Sequence, residues 1–165
     1  YLALAEGDLS EANDSVFWKE IAIPLAPDPE NPMKMTISPD GLLPGSRNAV
    51  TYYKNIKNFG NVTLVELQLE TGRTHQIRVH MSGIGHPLLG DTMYNPRACL
   101  KMSNSKEKKN TEGRINNRND CFKRAALHAW KLTFCHPFTD EIITLEAPLP
   151  DDFCRFLNAN EEEKT

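Results

Sequence analysis

Two arginines, three histidines and several turn glycines crowd into the stretch Leu64–Tyr94, LVELQLETGRTHQIRVHMSGIGHPLLGDTMY, and these side chains have the most chemistry to offer. A guanidinium is planar, permanently charged and able to donate two parallel hydrogen bonds to a carboxylate or phosphate. Arg78 falls within an expected helix. Winding Thr74 to Ile84 as a helix places it at the edge of an apolar stripe, on the side shared with His75 and Ser82, where a charge needs a partner. Arg73 falls at a strand-to-helix turn, beside helix N–H groups that favour an anion, and phosphate contact is expected of it. His75 and Gln76 follow directly and are expected to face the same phosphate-bearing ligand, although Gln76 can equally bond a base or backbone. The bland alternative for any one helical arginine is a solvated surface charge.

The elements that must position these groups are legible around them. Val62 to Leu69 alternates, with Val65, Leu67 and Leu69 on one face, as a half-buried strand does. Thr74 is the expected N-cap of the helix, and Ile77, Met81 and Ile84 form its apolar stripe. Gly85 ends it and Pro87 prevents it resuming. Upstream, Tyr1 to Gly7 reads as a strand, Phe17 to Leu25 as a second apolar run, and Asn48 to Phe59 as a strand joined to Val62–Leu69 in a hairpin. Six of the eleven prolines fall in residues 24–46, which excludes a long helix there and leaves a short strand at Met33 to Ile37. Downstream, Leu127 to Cys135 reads as a strand, His136 to Asp140 as a turn, Glu141 to Ala147 as the hairpin partner, and Asp151 to Leu157 as a short helix capped by Asp151. Trp18 and Trp130 are expected in the core. Hairpin-linked strands with few helices give an α+β class with a mixed, largely antiparallel sheet.

Composition narrows the function classes. The chain has 165 residues and 39% hydrophobic content, enough for one domain and one core, and no run reaches transmembrane length. Net charge is −3, but it is unevenly spread: residues 1–70 hold 5 basic and 10 acidic side chains, residues 71–135 hold 12 and 4, and residues 136–165 hold 2 and 8. A basic island of that kind is what a phosphate backbone selects. Part of it, Lys101 to Asp120, is so polar that it reads as a flexible insertion. Cys99, Cys121, Cys135 and Cys154 show no paired spacing, so they are expected to be free, ordinary buried thiols of a reducing, cytoplasmic compartment rather than a disulfide or metal framework. A metal-dependent hydrolase built on His75, His80 and His86 is the weakest reading, because His75 and His80 are five apart and do not share a helical face. His86, before Pro87, reads as a turn residue making a local hydrogen bond, and His128 and His136 as structural.

Leu69-Glu-Thr-Gly-Arg-Thr-His-Gln-Ile-Arg-Val-His80, followed by Gly85-His-Pro-Leu-Leu-Gly-Asp-Thr-Met-Tyr94, resembles the RluA-type (RluA/RluD-like) RNA pseudouridine synthases. Supporting pieces lie in order: Tyr1-x-Ala-Leu-x-x-Gly7, Ala49-x-Thr-x-Tyr53, Ala126-Leu-His-Ala129, His136-Pro137 and Pro148-Leu-Pro150. Only Lys101 to Asp120 lies outside the pattern. The resemblance implies a pseudouridine synthase catalytic domain, cofactor-free and metal-free, that turns selected uridines of structured ribosomal or transfer RNA into pseudouridine, with neither DNA nor membrane as partner. It further implies that the arginine at Arg78 pairs with a catalytic aspartate and that the tyrosine at Tyr1 packs on the target base, which must leave its helix to be reached.

The family's aspartate sits in a His-Arg-Leu-Asp motif upstream of that tyrosine, and the 165 residues contain no such motif. Asp91 is expected to fix a turn, not to act as nucleophile. The expectation is therefore of a single domain, the C-terminal portion of the catalytic domain with its first half missing, inactive alone and cut from a longer chain. Without the upstream aspartate, Arg78 must find phosphate, solvent or another carboxylate. The competing reading is a non-catalytic RNA-binding module that kept the basic face.

Overall fold

A computed structural model of the chain describes residues 1–9, 17–95 and 122–161. Its centre is a five-stranded sheet in the order β2 (Lys19–Ala22), β5 (Val50–Asn58), β6 (Val62–Leu69), β1 (Leu2–Glu6) and β7 (Leu127–His128). Two short two-stranded sheets accompany it: β3 (Leu25–Pro27) with β4 (Met35–Ile37), and β8 (Lys131–Cys135) with β9 (Ile142–Glu146). Helix α1 (Gln76–Gly83) follows β6, and α2 (Asp151–Glu161) closes the described chain. The α+β class holds. Among the described residues every strand pair is antiparallel, so no mixed component is seen.

The central strands are covered on both faces, which period-2 alternation did not predict. In β6, Val62, Leu64, Val65 and Leu67 are all buried. The even-numbered pair Leu2 and Leu4 of β1 joins Val62 and Leu64 against Phe153 and Phe156 of α2. Ala3 and Ala5 instead join Val65 and Leu67 against Ile77 and Met81 of α1. A strand packed on both sides loses its polar face, so the half-buried reading of Val62–Leu69 is corrected. The β5–β6 hairpin turns at Gly60, whose φ of 82° only glycine adopts freely. A bulge sets Ile56 outside the ladder.

Other expectations shift for identifiable reasons. Leu127–Cys135 is not one strand. Its first two residues pair with β1, the last pair being Leu2 with His128, and the chain then leaves the sheet to form the separate β8–β9 hairpin. Helix α2 runs to Glu161 because its apolar pattern continues past Phe153 and Phe156, and the buried Asn160 bonds the Phe156 carbonyl. Asp151 is not its cap: the Pro150 carbonyl already accepts the Cys154 N–H, which puts Asp151 inside the first turn, where its charge still suits the helix dipole. Trp18 is 41% exposed rather than core, lying under the Lys54 ammonium at 4.7 Å, and Trp130 is half-buried at the rim of the α2-side cluster. Cys135 is exposed and Cys154 half-buried; both are free, but neither is the buried thiol expected. The Lys101–Asp120 segment, Cys99 and Cys121 lie outside the described residues.

Candidate active-site edge of helix α1

Helix α1 is fixed at both ends by means that position its polar edge. At its C-terminus Gly85, with φ 87°, donates to the Ser82 carbonyl and His86 donates to the Met81 carbonyl, the paired bonds of a Schellman turn. At its N-terminus Thr74 does not cap. His75 occupies the cap position with φ 56°, a left-handed backbone costly for a residue with a side chain, and its side chain makes no capping bond. The helix therefore starts at Gln76, two residues later than expected.

What anchors the helix is a chain of hydrogen bonds beneath it. The Val50 N–H donates to Thr71 Oγ1 (2.9 Å), and that hydroxyl donates to Gln76 Oε1 (2.9 Å), which also accepts the Arg73 N–H. Gln76 Nε2 donates to the Val50 carbonyl and to Thr51 Oγ1, which is 2.8 Å from His80 Nδ1. His80 Nε2 donates to the Ile23 carbonyl, also at 2.8 Å. Since Ile23 can only accept, His80 carries its proton on Nε2 and receives the Thr51 hydroxyl at Nδ1. Burial, opposed by the backbone bond, lowers the His80 pKa and so disfavours the charged ring. Gln76 is 2% exposed with both amide atoms engaged, so the RNA contact expected of it is withdrawn: it ties α1 to β5.

On the outer edge, Arg78 finds the third of its possible partners, a carboxylate. Its Nε and Nη2 donate to Asp91 Oδ2 and Oδ1, both at 2.8 Å, in a bidentate pair whose Asp91 side chain is 0% exposed and whose Arg78 side chain is 21% exposed. Asp91 Oδ1 also accepts the Met93 and Tyr94 N–H groups, which confirms the turn-fixing role read for it. Burial acts to raise the Asp91 carboxyl, but the Arg78 bonds and the two backbone N–H bonds outweigh it and hold it below the usual carboxylate range. Asp91 is delivered by a turn with no slack: at Gly90 (φ 67°) an added Cβ would lie 2.2 Å from the Arg124 carbonyl oxygen.

Tyr94 completes the edge. Its ring sits 4.9 Å from the Arg78 guanidinium, its hydroxyl is 2.8 Å from His75 Nδ1, and its carbonyl accepts the Ser82 hydroxyl. Arg78 and His75 are thus brought together, through a residue that motif reading passed over. The available signal was the Asp91–Tyr94 spacing, which is that of an aspartate turn. Arg73 is half-buried, its Nε donating to the Asn48 carbonyl at 3.1 Å. Tyr1 is 37% exposed and pairs through its main chain with Leu67. Strand alternation puts it on the α1 side with Ala3 and Ala5, but no hydrogen bond or ion pair links it to Arg78 among the described residues.

The remaining histidines are structural. His86 makes a long-range bond, not the local one expected: its Nδ1 is 2.9 Å from the Glu6 carbonyl, across from Gly7, where an added Cβ would meet the ring at 2.9 Å. His136 binds the N–H groups of its own turn and His128 the Ala147 carbonyl. Among the described residues no group of three metal-ligating side chains converges, and no helix is long and apolar enough to cross a membrane.

Comparison with known proteins gives the family. The family model for RNA pseudouridylate synthase matches residues 1–83, just over half the chain. The chain is 48% identical over 116 residues to the ribosomal large subunit pseudouridine synthase D of Haemophilus influenzae, covering 70% of this chain and 34% of that protein. It is 38% identical over 157 residues to the RNA pseudouridine synthase YlyB of Bacillus subtilis, covering 95% and 42% respectively. Among solved structures, human RNA pseudouridylate synthase domain containing 4 superposes with a TM-score of 0.68 at 25% identity, over 97% of this chain and 60% of that one. The chain thus spans well under half the length of these curated relatives. With the matched region running from β1 through α1 and containing Arg73, His75 and Arg78, this chain belongs to the RNA pseudouridylate synthase family.

Proposed function

We propose that residues 1–165 form the C-terminal portion of a pseudouridine synthase catalytic domain, a cytoplasmic enzyme that isomerises uridine to pseudouridine in structured ribosomal or transfer RNA without cofactor or metal. The observation that carries this reading is the Arg78–Asp91 pair. It fixes a guanidinium on the rim of the fold while using only Nε and one face of Nη2, which leaves the Nη1 edge for a second acceptor. Because the two bonds to Asp91 hold the guanidinium in place, a second carboxylate brought to that edge meets a preoriented donor. That second carboxylate is the family aspartate, carried by a His-Arg-Leu-Asp segment that these residues do not contain. Tyr1 stacks on the target base from the α1 side of the sheet. Arg73 and His75 meet the RNA backbone.

The test is pseudouridine formation on ribosomal and transfer RNA transcripts by the chain alone and by the chain preceded by a family segment carrying the aspartate. We expect no product from the first and product from the second. Absence of product from both, with folding intact, contradicts the reading. A second reading, RNA binding without chemistry, draws on the basic island of residues 71–135. Micromolar or tighter RNA affinity with no turnover in either form would select it.

A further inference from the structure

We propose that Tyr94 is a positioning residue for the RNA-facing edge of α1: its hydroxyl holds His75 as the neutral imidazole protonated on Nε2, so that His75 meets RNA as a hydrogen-bond donor beside the Arg78 cation. The RNA half of this statement rests on the function proposed above; the protonation half does not.

The hydrogen-bond pattern points to the assignment. The Met35 N–H donates to the Tyr94 hydroxyl oxygen at 2.9 Å, and an N–H can only donate. The hydroxyl has one proton of its own, and its other hydrogen-bonding partner among the described residues is His75 Nδ1 at 2.8 Å. With the oxygen already accepting from Met35, we assign its own proton to the bond with Nδ1, which then carries none, so that in the neutral ring the proton is on Nε2. Burial pushes the His75 pKa below its usual value, the Arg78 charge adds to this, and the Asp91 charge opposes it less strongly; with the Tyr94 phenol, these are the titratable groups that face the ring.

Tyr94 itself cannot drift. Its N–H is held by Asp91 Oδ1 at 3.1 Å, its carbonyl by the Ser82 hydroxyl at 2.8 Å, and its ring meets the edge of His75 with centroids 5.6 Å apart. One residue therefore sets both donors, the cation through its ring face and the imidazole through its hydroxyl. The left-handed backbone at His75 points the same way: a strained conformation is retained where the side chain must reach one place. A donor that is neutral suits a phosphate or ribose oxygen without competing with the RNA for protons.

The experiment is nitrogen NMR of histidine-labelled chain at neutral pH, with wild type and Tyr94→Phe. Phenylalanine keeps the ring under Arg78 and removes only the hydroxyl. Wild-type His75 should show an unprotonated Nδ1 and a protonated Nε2, and Y94F should show both tautomers in exchange. Affinity for a structured ribosomal RNA fragment should fall severalfold in Y94F, with no further loss on adding His75→Ala. A wild-type ring protonated at Nδ1, or an unchanged tautomer in Y94F, overturns the assignment, and the first needs no variant to fold. An altered tautomer with wild-type RNA affinity overturns the RNA role. Failure of wild type itself to bind RNA, with the tautomer as stated, overturns the function reading instead.

Discussion

Two of the hairpins among the described residues are of similar construction and opposite fate. In β5–β6 the strand β6 is largely enclosed on both sides and β5 is partly covered, with residues such as Thr51 and Val65 0% exposed. In β8–β9 the register places Leu132 opposite Leu145 and Phe134 opposite Ile143, an apolar face, yet most of these side chains stay in water, with Phe138 at the turn 89% exposed. Pairing pattern alone thus does not tell which hairpin carries stability. Burial does, and it is the enclosed hairpin that supports the α1 edge, through Thr51, Val50 and the amide of Gln76.

The largest effect should come from breaking the ion pair that the enclosed region supports. Asp91→Ala leaves Arg78 without its partner and two N–H groups without an acceptor, a loss of about 3–5 kcal/mol in chemical denaturation. A loss below about 1 kcal/mol would mean that the pair is replaced by water. Next, Leu67→Ala should cost about 2–5 kcal/mol, whereas Leu132→Ala in the exposed hairpin should stay within about 0.5 kcal/mol. Equal costs would erase the distinction between the hairpins.

Acid titration sharpens it further. His80 and Asp91 both have folded pKa values below their unfolded ones, so each contributes stability that is present above its unfolded value and lost as pH falls through the folded one. His80 should begin to destabilise the fold somewhere below about pH 6.5, and Asp91 only below about pH 3.9. Denaturant melts of His80→Gln at stepped pH should show a smaller first loss, the remainder coming from His75, and keep the second. The smallest effect at the α1 edge is expected at His75→Gly. Glycine adopts the left-handed backbone without strain, which offsets the lost Tyr94 bond, so stability should stay within about 1 kcal/mol of wild type while RNA affinity falls. A larger destabilisation would make His75 a structural residue.

Much of this arrangement is written locally. The short strand Met35–Ile37, expected from Met33, the β5–β6 hairpin and the Gly85 stop follow from proline density, alternation and a glycine at a helix end. Arg78 was legible as a cation in need of a partner because helical spacing alone puts it at the stripe's edge. What stayed hidden depends on contacts between motifs. That Asp91 is the partner requires folding the Gly85–Tyr94 turn back onto α1, and the burial of Gln76 requires β5 beneath the helix. The left-handed His75 has no sequence signature of the kind glycine would give. Trp18 and Cys135 look like core by type, and their exposure follows from where the sheet ends.

The most direct test of the central claim replaces Arg78 by lysine in the form that carries the upstream aspartate segment. Lysine keeps the positive charge but cannot donate a fork to Asp91 and present a second edge to another carboxylate. Turnover of uridine to pseudouridine should fall by at least about a hundredfold while RNA affinity stays within about threefold, the mark of a group that acts on the reaction more than on binding. Wild-type turnover in Arg78→Lys would contradict the account, since a point charge would then suffice and the Asp91–Arg78–Tyr94 geometry would have no part in the chemistry.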